Sequence, residues 1–277
     1  MINKAKIKKF QEVIWQHYHV HKRNFPWRET TNPYRILVSE IMLQQTQANR
    51  VVEKYQSFIK KIPNFKSLAN IETKQLLLEW QGLGYNRRAL QLQRLAQIVA
   101  REHRGRLPHD NALLQQLPGI GPATAAAIRA FTFNLPTVYL DTNVRRVYLH
   151  YFFPEQAKIY DKELFPLIEK SFDTSNSREW CWALLDYGAM LGKDKKNNPN
   201  QRSAHFTKQT KFEGSNRQLR GQLLKNIITH NGISQLKLLS FFAPTIHKQI
   251  QNTVEQLITE GFIFCNNKRY YIKPNTK

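Results

Sequence analysis

Two acids in this 277-residue sequence stand in surroundings that suit opposite chemical duties. Glu40 lies in a largely apolar run with Ile36, Leu37, Val38, Ile41, Met42 and Leu43. Burial in such company raises a carboxyl pKa, far enough for the group to hold its proton near neutral pH and act as a general acid. Asp141 opens a basic, amphipathic stretch, Asp141-Thr142-Asn143-Val144-Arg145-Arg146-Val147, and the N-terminus of a helix keeps a carboxylate ionised. A protonated carboxyl can serve as a general acid and an ionised one as a base or as a stabiliser of developing positive charge. Each has a plainer use as well. Glu40 suits a solvated helix carboxylate, and Asp141 suits a simple N-cap, a position Asp favours for its own reasons.

A third feature is the string Leu117-Pro118-Gly119-Ile120-Gly121-Pro122-Ala123-Thr124-Ala125. A short helix ends at Leu117, a Gly-x-Gly turn follows, and a new helix begins near Thr124. Glycines admit positive φ and the close approach of another backbone, while a helix start offers N–H groups and the positive end of its dipole to an anion. An ordinary glycine-rich turn between helices is the alternative. The composition supplies a reason to expect an anion: 42 Lys+Arg stand against 20 Asp+Glu, a net charge of +22. Nucleic acid is the first candidate partner and a membrane surface the second.

The elements that must position these groups are mostly helical. Apolar residues recur at helical spacing over 7–18, 36–62, 73–80, 90–102, 112–117, 124–131, 144–151, 162–172 and 180–191, with Gly and Pro between the segments. No alternating strand pattern appears before residue 192, so an all-α region is expected there. The sharpest break in composition is 192–216, polar and rich in Lys, Asn and Gln, which reads as a linker or an extended surface segment. Beyond it the pattern predicts helices over 216–230, 233–242 and 246–260, then a β-hairpin over 262–272 turning at Asn266-Asn267-Lys268. Three helices and a hairpin follow the order of a winged helix, whose third helix is a DNA reader in many such modules and a packing or protein-contact element in others.

Composition bounds the rest. With 41% hydrophobic residues, 16 Phe, 11 Tyr and 5 Trp, the chain can build its cores without metal or disulfide help. The two cysteines, Cys181 and Cys265, exclude a disulfide framework and any zinc or iron–sulfur site made from four cysteines, and they fit a reducing compartment. No apolar run approaches the roughly 20 residues of a membrane span. The lysine-rich N-terminus has no following apolar stretch or cleavage site, so it is not a secretory signal. A cytoplasmic, nucleoid-associated protein acting as a monomer away from membranes is expected.

The hairpin string followed about 20 residues later by an acid resembles the helix-hairpin-helix DNA glycosylases, the superfamily that includes endonuclease III. Phe25-Pro26-Trp27-Arg28, Asn32-Pro33-Tyr34, Ser39-Glu40-Ile41-Met42-Leu43-Gln44-Gln45-Thr46-Gln47 and Gly82-Leu83-Gly84-Tyr85 are similar to the A/G-specific adenine glycosylases, the MutY family. The resemblance covers roughly residues 5–192. It implies a mainly α chain with a two-subdomain helix-hairpin-helix glycosylase core over 1–192: a middle bundle of about 25–135, and a second subdomain from 1–24 with 136–192, meeting in a cleft. A basic linker over 193–215 and a small α+β winged-helix-like domain over 216–277 would follow. The implied reaction is hydrolysis of the N-glycosidic bond of adenine mispaired with 8-oxoguanine or guanine, in double-stranded DNA, in base excision repair. Glu40 would be the general acid and Asp141 the ionised partner, with Asn143 beside it. Trp27 and Arg28 match positions near the base pocket, Gln45 and Tyr85 match residues that wedge into the DNA stack, and Gly119, Ile120, Gly121, Ala123 and Thr124 would grip the backbone.

Three departures from the family qualify these implications. Bifunctional relatives carry a lysine at the position of Ala123, where an amine would form a Schiff base with the sugar. Ala123 cannot, so a monofunctional enzyme that leaves an abasic site is expected. The family's four cluster cysteines match Gly192, Pro199, Arg202 and Lys208, so no iron–sulfur cluster or other cofactor is expected. The basic residues Lys193, Lys195, Lys196, Arg202, Lys208 and Lys211 could keep a phosphate-contacting role there. The Nudix-like domain that reads 8-oxoguanine in typical members is replaced by the winged-helix-like residues 216–277. That leaves a thymine or uracil glycosylase acting opposite guanine as the runner-up, and a DNA-binding protein without catalysis as the third reading.

Overall fold

The computed structural model describes residues 3–207 and 211–275. In chain order its first helices are α1 Lys4–His21, α2 Pro33–Leu43, α3 Ala48–Lys61, α4 Phe65–Asn70, α5 Thr73–Trp80, α6 Arg87–Glu102 and α7 Asn111–Gln116. They are followed by α8 Pro122–Phe133, α9 Thr142–Phe152, α10 Asp161–Ser171 and α11 Ser177–Leu191. After them come α12 Asn216–Thr229, β1 Ile233–Ser234, α13 Gln235–Leu239, α14 His247–Thr259, β2 Ile263–Asn266 and β3 Arg269–Ile272. Short 3-10 turns lie at Pro26–Arg28, Pro199–Arg202 and Pro244–Ile246. The fold is mainly α with one small sheet, as the periodicity predicts.

Two corrections concern local structure. The predicted helix over 36–62 is two helices, broken at Gln44–Gln47, where Gln45 adopts φ 55°. The apolar period continues across the break because both halves bury a face, so periodicity could not reveal it. The predicted helix over 233–242 begins instead as the strand β1. Ile233 pairs with Tyr270 and Ser234 with Arg269, giving an antiparallel sheet of order β1-β3-β2. The hairpin between β2 and β3 turns through Asn267 and Lys268, both at positive φ (49° and 56°), the two-residue turn whose twist matches that of the flanking strands.

The chain forms two compact units, Met1–Ile41 with Leu107–Lys208, and Met42–Arg106 with Gln209–Lys277. These limits differ from the expected bundle of about 25–135. Residues 107–135 group with the first unit because Ala126, Ala127, Ala130 and Phe131 of α8 share its core with Phe10, Ile14, Val147 and Trp180. In that unit α11 packs against α1, α8 and α9. The second unit joins α3–α6 to the C-terminal helices and sheet. There α12 lies against α5 and α14, and Asn275 donates to the Ile71 carbonyl (2.6 Å) and pairs with Thr73. The C-terminal module is therefore docked on the middle helices.

The expected linker 193–215 is only partly a linker. Asn200 and Ser203 are buried, and Ile159 and Ser203 form a parallel bridge. Arg202 donates to the Leu149 carbonyl (3.1 Å) and the Asn200 amide to the Thr142 carbonyl (3.0 Å). The segment is held by polar side chains on backbone carbonyls, which is why its composition lacks the apolar signature of a packed element. Lys208 lies outside the described residues.

Candidate active site

The first unit brings together Glu40, Asp141, Asn143 and Arg28. Asp141 is the N-cap of α9: its Oδ1 accepts from the Asn143 and Val144 backbone N–H groups at 2.8 Å each. Its Oδ2 accepts from the Asn143 side-chain amide at 3.2 Å. Three donors and the helix start stabilise the charged carboxylate. Burial acts the other way and is the larger influence, and the net direction for Asp141 is upward. Asn143 is itself oriented, because its Oδ1 accepts from Arg146 Nη1 (2.9 Å). Arg146 also donates to the Gly188 carbonyl of α11 and to Asn198 Oδ1 (3.0 Å). A Cβ on Gly188 would fall within 3 Å of the Asn143 backbone, so this glycine is what lets α11 pass so close to the start of α9.

Glu40 sits on α2 with Leu37, Ile41 and Met42 fully buried around it. Its carboxyl has no hydrogen bond among the described residues. Burial, reinforced by the Asp141 charge and only partly offset by Arg28, pushes its pKa up to about 8. The two carboxyls therefore compete for one proton, and the groups around them decide its owner. Asp141 has three donors and Glu40 has none, so the proton resides on Glu40 at neutral pH. Tyr139 is buried beside both acids, and burial followed by their charges holds its hydroxyl well above the usual phenol range.

Arg28 lies at the centre of a network that the sequence did not reveal. Its guanidinium donates to both oxygens of Asp186 (2.8 Å each) and to the Arg23 carbonyl (3.0 Å). Arg23 reaches the same carboxylate through Nε (2.6 Å) and its backbone N–H (3.0 Å). Burial tends to raise Asp186, but the bonds and charges of Arg28 and Arg23 outweigh it and hold the carboxyl below the ordinary range. A locked Arg28 keeps a fixed positive charge near Glu40. The available signal was Asp186 itself, an acid directly after the apolar run Trp180-Cys181-Trp182-Ala183-Leu184-Leu185. Trp27 is buried with its ring stacked on Phe25 (4.8 Å, 11°).

The hairpin joins α7 to α8 in the same unit. Gly119 takes φ 82°, which favours glycine. Gly121 is different: its φ is ordinary, and a Cβ there would meet nothing within 4 Å. The fold does not need that glycine, and its effect is to leave the surface bare at the start of α8. Gly121, Pro122 and Ala123 are exposed, and Ile120 is buried beneath them as the anchor of the turn.

Gln45 and Tyr85 belong to the second unit. Each adopts a left-handed φ (55° and 47°), uncommon for side chains of their size. Their loops are clamped by Arg88, a buried cation missed by sequence reasoning. It donates to the carbonyls of Met42 (2.9 Å), Gln44 (2.6 Å) and Gly84 (3.0 Å) and to Thr46 Oγ1 (3.0 Å).

The model of the HhH-GPD superfamily of base excision DNA repair proteins matches residues 38–170, the stretch from the Glu40 helix past the Asp141 helix. A thymine/uracil-DNA glycosylase of Methanothermobacter thermautotrophicus is 31% identical over 189 residues, which are 67% of this chain and 86% of that protein. The chain belongs to the HhH-GPD superfamily. An adenine DNA glycosylase of Buchnera aphidicola is 36% identical over 183 residues. That match takes in 66% of this chain and 52% of the relative, so this HhH-GPD protein spans about half the length of the adenine glycosylases it matches. The solved structure of a thermostable thymine-DNA glycosylase superposes with a TM-score of 0.63 at 28% identity, over 72% of this chain and 94% of that one.

The residues at the family's cluster positions do not fit an iron–sulfur cluster. None supplies a thiolate. Gly192 packs under the Arg146 guanidinium, Pro199 opens a buried turn, and Arg202 is bonded to the Leu149 carbonyl.

Proposed function

We propose that this protein is a monofunctional adenine DNA glycosylase of base excision repair, acting on adenine opposite 8-oxoguanine or guanine and working without a metal. The observation that carries the reading is Glu40, a carboxyl raised to about 8 beside a hydrogen-bonded carboxylate. Adenine leaves a sugar readily only after its ring is protonated, and a carboxylic acid that keeps its proton at neutral pH supplies that proton. The target nucleotide is first extruded from the duplex. Glu40 protonates the ring as the C1′–N9 bond breaks, and the bonding electrons leave with the base. Asp141 stabilises the oxocarbenium ion, or traps it briefly, and water then adds at C1′ and gives up a proton. No amine stands at Ala123 to form a Schiff base, so the product is an intact abasic site. The bare backbone at Gly121 and the positive end of α8 suit a DNA phosphate.

Thymine or uracil opposite guanine is the second reading. It is favoured by the match over 86% of a thymine/uracil-DNA glycosylase. A pyrimidine leaves as a delocalised anion and depends less on Glu40. The test is single-turnover excision on duplexes holding adenine opposite 8-oxoguanine, guanine or cytosine, and thymine or uracil opposite guanine, each with and without alkali. Alkali-dependent cleavage at adenine opposite 8-oxoguanine or guanine is expected. Cleavage confined to thymine or uracil would transfer the assignment to the second reading, and cleavage nowhere would refute both.

A further inference from the structure

The three-stranded sheet of the C-terminal module presents an aromatic face on the side away from the module's helices. Ile233, Ile263, Tyr270 and Ile272 are buried on the inner side, where α12 packs on β3 and α14 on β2. Side chains alternate along a strand, so Phe264, Asn266, Arg269 and Tyr271 share the outer face, with Phe264 directly opposite Tyr271 and Asn266 opposite Arg269. We propose that this face binds single-stranded DNA, an unpaired base lying on the Phe264 ring. The carboxyls belong to the first unit and take no part in this contact, which stands apart from the glycosylase reading.

The two rings are stacked, with centroids 5.2 Å apart and planes at 20°. Because β3 is the middle strand, Tyr271 lies between Gly232 on the β1 side and Phe264 on the β2 side. Gly232 presses on the Tyr271 ring, where a Cβ would come within 2.9 Å of it. The stack therefore ends on Phe264. β2 is an edge of the sheet, and Phe264 is 37% exposed, so the end of the stack is open to solvent. A bare aromatic ring at the end of a stack fits the face of a base. In a duplex both faces of a base are covered by its neighbours, whereas a single strand leaves them free. Charge points to the same ligand. Residues 261–275 contain Lys268, Arg269 and Lys273 and no acid, which suits the phosphates joining successive bases. Arg269 is held on the face by donating to the Gly232 carbonyl (2.9 Å), and Lys268 projects at the hairpin turn beside it. A cross-strand aromatic pair also steadies a hairpin, and the test separates the two uses.

The experiment uses the full chain and a labelled single strand of about 12 nucleotides, mixed in sequence and unable to self-pair. A second strand of equal length carries tetrahydrofuran residues in place of every nucleoside. Both have the same phosphates, so the ratio of their affinities reads contact with bases. A ratio of at least about tenfold is expected for the unmodified chain. Phe264→Ala should bring it within about twofold, and Phe264→Trp, which keeps a ring at the sheet edge, should preserve it. Affinity for a blunt duplex should be the same in all three proteins. A ring that serves the hairpin alone would lower the melting temperature of Phe264→Ala and leave the ratio of the folded protein unchanged. If Phe264→Ala unfolds the module, photocrosslinking of the unmodified chain to a strand containing 5-iodouracil carries the test, and mass spectrometry should place the crosslinks within residues 263–272. A ratio below about twofold for the unmodified chain, a ratio unchanged in folded Phe264→Ala, or crosslinks confined to other segments overturns the proposal.

Discussion

At the scale of single residues, the site is two carboxyls whose neighbours assign them one proton. In the proposed mechanism Glu40 acts in its protonated form, and its pKa of about 8 places that form below that pH. Adenine excision should therefore hold through neutral pH and fall about tenfold per unit once pH rises through 8, in a single-turnover pH–rate profile. Glu40→Gln should cut the rate by about 10²–10⁴, with duplex affinity retained. An unchanged adenine rate would remove the acid role. The same substitution has a stability signature. The folded state holds the Glu40 proton above the usual carboxylate range, so from about pH 4.5 to 8 the unfolded chain binds fewer protons, and stability declines as pH rises. Glu40→Gln removes that decline, so it should raise the melting temperature at pH 8 and have little effect near pH 4. Asp141→Asn should leave melting nearly unchanged, because Asn caps a helix as well as Asp, while excision drops by at least about 10²–10³ with the loss of the stabilising charge. Both acids were legible in the sequence, Glu40 from the apolar run around it and Asp141 from the basic helix it opens. Asp186 was not legible as the holder of Arg28, because the two lie 158 residues apart in the chain and meet only through tertiary packing.

At the scale of elements, the placement of Asp141 depends on how closely α11 crosses the start of α9. Gly188 permits that crossing, and a methyl group there would press on the Asn143 backbone. Gly188→Ala should cost about 1–3 kcal/mol by overpacking. It should also slow excision beyond any loss of folded protein, since Asn143, itself held by Arg146, orients the Asp141 carboxylate. Urea unfolding and single-turnover rates on the same preparation check it. A destabilised variant with full activity per folded molecule would show that the crossing serves packing alone. Helix positions were the most legible level of the fold, because one apolar face repeats through α1, α6 and α9. The break at Gln44–Gln47 was hidden, because no glycine or proline marks it and it is held from α6 by Arg88, which bonds the Met42 and Gln44 carbonyls and Thr46 Oγ1. The strand β1 was hidden as well: two residues carry no period, and pairing with β3 alone makes them a strand.

At the scale of the whole molecule, net charge governs the affinity for DNA. The net charge is +22, of which residues 193–277 carry +11, so the C-terminal part holds far more charge per residue than the core. Phosphate contacts that release counterions make binding fall steeply with salt, and six to ten of them would lose about 10³–10⁵ in affinity between 50 and 200 mM. Duplex binding by the full chain should show a loss of this size, and a salt-insensitive complex would contradict the reading of the charge.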